Sequence, residues 1–398
     1  ETTEGEETLT ASVNGESATT TVNDTSVTPP PVETFTLTDK LDNVEGGSGD
    51  DTISAIFDDQ GNETTWALSD QINGGDGTDS LTSLVLNGNP DGSTPGSNLV
   101  GRSTDNVERL FFDHVDAATT EEAISVDASG FSGANEIWAA NGSSTQSGTA
   151  DSGADDTLEF DNIAEGTTVG VANNGSNLGV DFDFVGSATD STTDSVTLAA
   201  GGGTTNTVDL ADQSFETVNI ATSDAASGFG LGLSSDSATV NVTGDQGLTV
   251  SNELSNVQTF DASGNSGAVD VDLAASSSLK ATGGSGDSDN LTLNVGSSVS
   301  TGMAVSAFET VGLFTTAGAT LDLDLISDAD NLQVTNGGGT AQTLTLNDVA
   351  AGTPLTFEET AMAFGTTVPA AGEGANSATT TGDINADGTL LDSTDPEE

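Results

Sequence analysis

The sequence predicts an all-β fold, a parallel β-helix or β-solenoid built from short stacked strands. Tandem β-sandwiches carrying similar loops are the alternative. Three observations predict it. Short runs of Val, Leu, Ile and Phe alternate with Thr, Ser and Asn, the period-two pattern of a half-buried strand. Turns rich in Gly, Asp and Asn punctuate these runs from Thr34 to about residue 370. Helix signals are poor: glycine supplies 49 of the 398 residues, and Ala117–Ala123 is the one candidate for a short helix.

Taken in order, residues 1–33 are rich in Thr and Glu and end in Pro29-Pro30-Pro31. Prolines cannot join a strand ladder, so this stretch reads as an arm or linker. Leu9, Ser12 and Val13 could form one strand and Thr20–Val22 another; a flexible arm is the favoured reading, and pairing with a neighbouring subunit's open edge is the alternative.

Residues 34–370 repeat one theme, a short β-rich run, a turn and another run. The first turn is Gly46-Gly47-Ser48-Gly49-Asp50-Asp51-Thr52-Ile53 and the second is Gly74-Gly75-Asp76-Gly77-Thr78-Asp79-Ser80-Leu81. A third, Gly283-Gly284-Ser285-Gly286-Asp287-Ser288-Asp289-Asn290-Leu291, carries one extra residue. The first two fit the nonapeptide G-G-x-G-x-D-x-U-x. Its glycines let the backbone turn carbonyls inward, its aspartate offers a hard anionic oxygen, and its apolar residue drops into the core. That chemistry points to Ca2+. The expected ligands are Asp51 and Asp79 with carbonyls of Gly46, Gly47, Gly49, Gly74, Gly75 and Gly77. Asp42, Asp50, Asp76, Asp287 and Asp289 are additional candidates. An ordinary Gly/Asp turn is the bland alternative. One turn cannot fill a shell of about 6–8 oxygens, so each ion must borrow from a neighbouring coil.

A second phrase also repeats. It appears as Asp105-Asn106-Val107-Glu108-Arg109-Leu110, Phe215-Glu216-Thr217-Val218-Asn219-Ile220, Asn256-Val257-Gln258-Thr259-Phe260 and Phe308-Glu309-Thr310-Val311, with Asp330-Asn331-Leu332 as a looser copy. Asp-Ala-Ser-Gly recurs at Asp127–Gly130 and Asp261–Gly264. Coils of roughly 20 residues would give about 15–17 turns of solenoid, a rod ~75 Å long.

Residues 371–398 return to low complexity. Within them Asp383-Ile384-Asn385-Ala386-Asp387-Gly388 fits the first half of an EF-hand-like loop, making Asp383, Asn385 and Asp387 further candidate ligands. Position 12 departs from the pattern, because Thr394 stands there.

The lead-in and the glycine–aspartate turns resemble the repeats-in-toxin calcium-binding proteins. In style the chain is similar to bacterial surface-layer (S-layer) proteins, where such turns are scattered through long Thr/Ser/Asp-rich solenoids. The specific part of the match covers about Thr34–Thr82. The resemblance implies a secreted, calcium-stabilised building block.

Charge limits the partners. The chain carries 64 acids against Lys40, Arg102, Arg109 and Lys280, for a formal charge of -60. Nucleic-acid backbones and anionic membranes need positive charge, so neither is an expected partner. Cations are. No apolar stretch is long enough for membrane insertion. With no cysteine, calcium rather than disulfides would tie the loops of an extracellular repeat protein. An enzyme is not expected: His114 is the only histidine, no G-x-S-x-G elbow occurs, and only four bases accompany the acids. The expectation is therefore an extracellular, cell-surface structural protein. It would self-assemble into a calcium-dependent layer or filament, with cell-surface polysaccharide as a candidate partner. An adhesin or phage appendage displaying the loops Asn87–Asn98 and Ala139–Asp155 on the same rod is the second expectation.

Overall fold

The computed structural model describes residues 7–22, 30–58, 63–87, 99–116, 123–144, 156–175, 177–186, 193–211, 214–315, 317–336, 344–349 and 355–358. From Thr34 onward the chain is a parallel β-solenoid. One long sheet of 13 strands runs from Thr34–Thr36 to Ala304–Ser306, and a second of 11 strands runs from Ala123–Asp127 to Leu355–Glu358. In the first coils a four-stranded sheet, from Asn43–Glu45 to Phe131–Ser132, forms a further face, and in the coil of residues 123–132 it lies beside the first strand of the second long sheet. Neighbouring strands of these sheets are parallel and lie one coil apart in sequence, which excludes the β-sandwich alternative.

The alternation in the sequence explains the burial. In Thr217–Thr222 the residues Val218, Ile220 and Thr222 point inward, while Thr217, Asn219 and Ala221 point out. The same parity holds in Val269–Ala274 and Asn290–Asn294. Phenylalanines stack up the core from coil to coil: Phe112 on Phe160 at 5.3 Å between ring centroids, and Phe160 on Phe182 at 5.2 Å. His114 also faces this core and is fully buried. Burial of these columns and the parallel ladders hold the coils together.

Coil length departs from the expected 20 residues. Thr52 pairs with Ser80 and Glu136 with Thr168, offsets of 28 and 32. The first step, Thr34 on Thr52, is 18 residues, and after these longer coils the steps shorten again from Ser195 on, with Thr217 on Thr239 and Thr239 on Thr259, offsets of 22 and 20. The early coils carry longer connections between strands, which a fixed repeat cannot show. The longest sheet has 12 strands along its stacking path, with Ser143–Ser144 beside it, and so falls short of the expected 15–17 coils.

Glu7–Val13 and Glu16–Val22 form an antiparallel hairpin in which Val13 pairs with Glu16. The turn is Asn14-Gly15, with φ of 52° and 85°, a conformation these two residue types adopt at low cost. Val13 is 72% exposed. Of the expected helix Ala117–Ala123, residues 117–122 lie outside the described residues, and Ala123 begins a strand. The display loops expected at 87–98 and 139–155 likewise lie mostly outside them.

The two Asp-Ala-Ser-Gly copies share one local device. Asp127 and Asp261 each accept the backbone N–H two residues on, from Ser129 at 3.1 Å and Ser263 at 3.0 Å. The serine hydroxyls and these N–H groups hold both carboxyls below the ordinary value of 3.8. A depressed folded pKa means stability that is full above the unfolded value and lost as pH falls through the folded one. Carboxyl NMR titration should therefore find Asp127 and Asp261 among the last acids to protonate. Replacing either by Ala should make acid unfolding less steeply pH-dependent below pH ~4.

Candidate functional site

The glycine–aspartate turns sit at the corners where one strand hands over to the next. Gly46–Gly49 joins Asn43–Glu45 to Thr52–Asp58, and Gly74–Gly77 joins Gln71–Asn73 to Ser80–Asn87. The two turns lie on successive coils and touch through backbone. Asp76 N–H donates to the Gly47 carbonyl at 3.0 Å and Gly46 N–H donates to the Asn73 carbonyl at 2.8 Å. A Cβ on Gly46 would stand 1.7 Å from the Gly74 oxygen, and one on Gly75 would stand 2.3 Å from the Gly47 oxygen. Gly75 and Gly77 also have φ of 103° and 139°. Glycine is thus required by both conformation and close approach.

Asp51 and Asp79 are fully buried at these corners. Asp51 accepts Glu33 N–H on Oδ1 at 2.6 Å and Gly47 N–H on Oδ2 at 2.7 Å. Asp51 N–H in turn donates to Asp79 Oδ1 at 2.7 Å, and Asp79 N–H donates to Glu108 Oε2 at 2.8 Å. Glu33, Asp51, Asp79 and Glu108 therefore form a column in which the carboxylates of Asp51, Asp79 and Glu108 each hold the backbone of the coil before. Asp79 Oδ2 is the exception: it is buried and has no hydrogen-bond partner. Burial pushes the Asp79 carboxyl up; the Asp51 N–H opposes this, and the charges of Glu108, Asp51 and Asp50 add to it.

The third turn lies at a different corner. Gly283–Gly286 joins Lys280–Thr282 of the first long sheet to Asn290–Asn294 of the second. Asp289 is fully buried there and accepts Val269 N–H on Oδ1 at 2.8 Å. Its own N–H donates to Glu309 Oε2 at 2.6 Å. Asp289 Oδ2, like Asp79 Oδ2, has no hydrogen-bond partner. Burial raises this carboxyl too, with Glu309 adding to the rise; the Gly284 N–H eases the charge without reaching hydrogen-bond geometry to Oδ2.

The other predicted ligands are placed differently. Asp50 and Asp76 are exposed, and Asp50 Oδ1 accepts Thr78 N–H at 2.8 Å across the coils. Asp287 is exposed. Asp42 is half-buried, accepts Thr38 N–H at 2.7 Å, and donates its own N–H to Asp70 Oδ1 at 3.0 Å, a second short acid column. Asp383, Asn385 and Asp387 lie outside the described residues.

The second repeated phrase supplies residues that were not among the predicted ligands. Glu108, Glu216 and Glu309 each stand just before a strand and each accept the N–H of an aspartate one coil earlier. The third pair, Asp194 N–H to Glu216 Oε2 at 2.8 Å, has a half-buried rather than a buried aspartate. A group of three carboxylates, Asp322, Asp324 and Asp348, was also missed; their oxygens lie within 4.8 Å of one another. Asp322 pairs with Asn347 across strands far apart in sequence, so no local motif marks the group. On the outer face, Phe111 and Trp138 stack at 5.9 Å, flanked by the Arg109–Glu136 ion pair. Only strand register brings that cluster together.

The geometry can do one thing well. Two buried aspartate oxygens, each lacking a donor, each in a glycine turn packed on the next coil, match the hard oxygen ligands that Ca2+ takes. Asp51, with one backbone N–H on each oxygen, has less to offer. No family model matches the chain, and neither a curated protein nor a solved structure does.

Replacing Gly75 by Ala should lower stability by ~2 kcal/mol or more, because a Cβ there meets backbone and the conformation is left-handed. Gly166, at φ 81° with open space around it, should cost only about 1 kcal/mol. Urea unfolding midpoints of the two variants check the difference.

Proposed function

We propose that this protein is an extracellular structural unit whose coils are tied by Ca2+ and which self-assembles into a layer or filament at a cell surface. The single observation that carries the calcium reading is the pair of buried, donorless oxygens, Asp79 Oδ2 and Asp289 Oδ2, in glycine turns. An uncompensated carboxylate in such a place costs several kcal/mol, and a bound cation removes the cost. Asp79 and Asp289 would hold the ion, with turn carbonyls completing the shell. The ion supplies positive charge at a corner where successive coils meet. The charge balance supports the same reading: 64 acids face four bases, and among the described residues Arg109–Glu136 is the one ion pair.

Self-assembly is supported by the ends of the solenoid. At the two ends of the stack the ladders stop at Thr34–Thr36 in the first long sheet and at Leu355–Glu358 in the second. A parallel ladder that stops presents unpaired N–H and C=O groups, a template for another chain. Like-charged copies repel, and a divalent cation between acidic surfaces offsets that repulsion.

Negative-stain electron microscopy at matched ionic strength, in millimolar calcium and in chelator, tests this. Sheets or filaments should form only with calcium. Dispersed single rods in both conditions would contradict assembly and favour the adhesin or appendage reading.

A further inference from the structure

Three Asp–Glu pairs recur along the solenoid, each spanning two successive coils through the same hydrogen bond. Asp79 N–H donates to Glu108 Oε2 at 2.8 Å, Asp194 N–H to Glu216 Oε2 at 2.8 Å, and Asp289 N–H to Glu309 Oε2 at 2.6 Å. In each the glutamate spends one oxygen on the backbone of the aspartate one coil earlier and keeps the other. Placing two carboxylates on adjacent rungs of a parallel stack is unfavourable unless something else is gained. A neutral acceptor such as Gln at the same position would hold the N–H equally well without the repulsion. Indeed Gln258 stands at the corresponding position in Asn256-Val257-Gln258-Thr259-Phe260.

The pairs are not equivalent. Asp79 and Asp289 are fully buried, follow glycine turns, and each leaves one oxygen with no donor. Asp194 is half-buried. Glutamate therefore accompanies a stranded aspartate oxygen at two separate corners, one leading into the first long sheet and one into the second.

We propose that Glu108 and Glu309 are cation ligands, each pairing its free oxygen with Asp79 Oδ2 or Asp289 Oδ2 to clamp one divalent cation between two coils. This rests on the calcium reading above and extends it from single turns to an inter-coil pair. Ca2+ suits the clamp better than Mg2+, because it accepts irregular all-oxygen shells and gives up water readily. Each clamp brings two negative charges to one ion. It also ties the backbone of one coil to the side chain of the next, so binding and coil stacking are linked. The Asp194–Glu216 pair is a structural copy without the clamp.

Calorimetric titration with calcium chloride, together with the thermal midpoint with and without calcium, tests this on the full chain. The variants are Glu108→Gln, Glu309→Gln and Glu216→Gln. Gln keeps an acceptor for the aspartate N–H, so the fold is retained, and circular dichroism in chelator checks it. E108Q and E309Q should each remove one tight site or weaken it tenfold or more, and each should shrink the calcium-induced rise in thermal midpoint. E216Q should change neither. Calcium binding by the wild type that E108Q and E309Q leave unaltered would overturn the glutamate clamp while leaving the turns as calcium sites. No binding by the wild type would overturn both. Should E108Q fail to fold, E309Q at the other corner carries the same test.

Discussion

Parallel stacking of acidic corners is the constraint on which the rest of this structure depends. A β-solenoid repeats each position about 4.8 Å above the last, so an acid at a corner meets the acid of the next coil. Glu33, Asp51, Asp79 and Glu108 form such a column, and each carboxylate above the first is held by a backbone N–H from the coil below. The hydrogen bonds make the column possible but do not neutralise it. At Asp79 and Asp289 they leave one buried oxygen without a donor. The glycines exist in service of the same corners, since a Cβ on Gly46 or Gly74 would collide with the neighbouring coil and with the aspartate itself.

The sheet faces carry the same problem outward. Glu159, Asp181 and Asp209 lie in register on neighbouring strands of the second sheet. Burial raises the Glu159 carboxyl, and Asp161 and Asp183 add to the rise. Burial likewise raises Asp270, with Asp272 beside it. Such faces are tolerated when counterions gather over them, and diffuse screening by salt serves an open face as well as a specific ion does. The corners differ because a buried oxygen is out of reach of diffuse ions. On the proposed reading, specific cation binding would sit at the corners, while diffuse counterions would serve the faces.

Much of the fold was legible in the sequence because its signals are local. Alternation in stretches such as Thr217–Thr222 set the inward face, and the Gly-Asp turns set the corners. The second repeated phrase was visible as a pattern, yet the role of Glu108, Glu216 and Glu309 was not, since it depends on which coil lies above which. The coil offset was misjudged for the same reason: loops of different length separate strands that pair in parallel ladders, some with register shifts. The Asn14-Gly15 turn was not read from the sequence, set as it is in a Thr/Glu-rich low-complexity stretch. Asp322, Asp324 and Asp348, and the Phe111–Trp138 stack, are products of register alone. Among the aspartates of the turns, sequence spacing ranked Asp51 and Asp79 equally; only hydrogen bonding separates them, and it brings Asp289 level with Asp79.

The most direct measurement is a crystal structure of the calcium-loaded protein with an anomalous-difference map. The account predicts peaks beside Asp79 Oδ2 and Asp289 Oδ2 and none beside Asp194. An ordered solenoid with water or no density at both buried oxygens would contradict it.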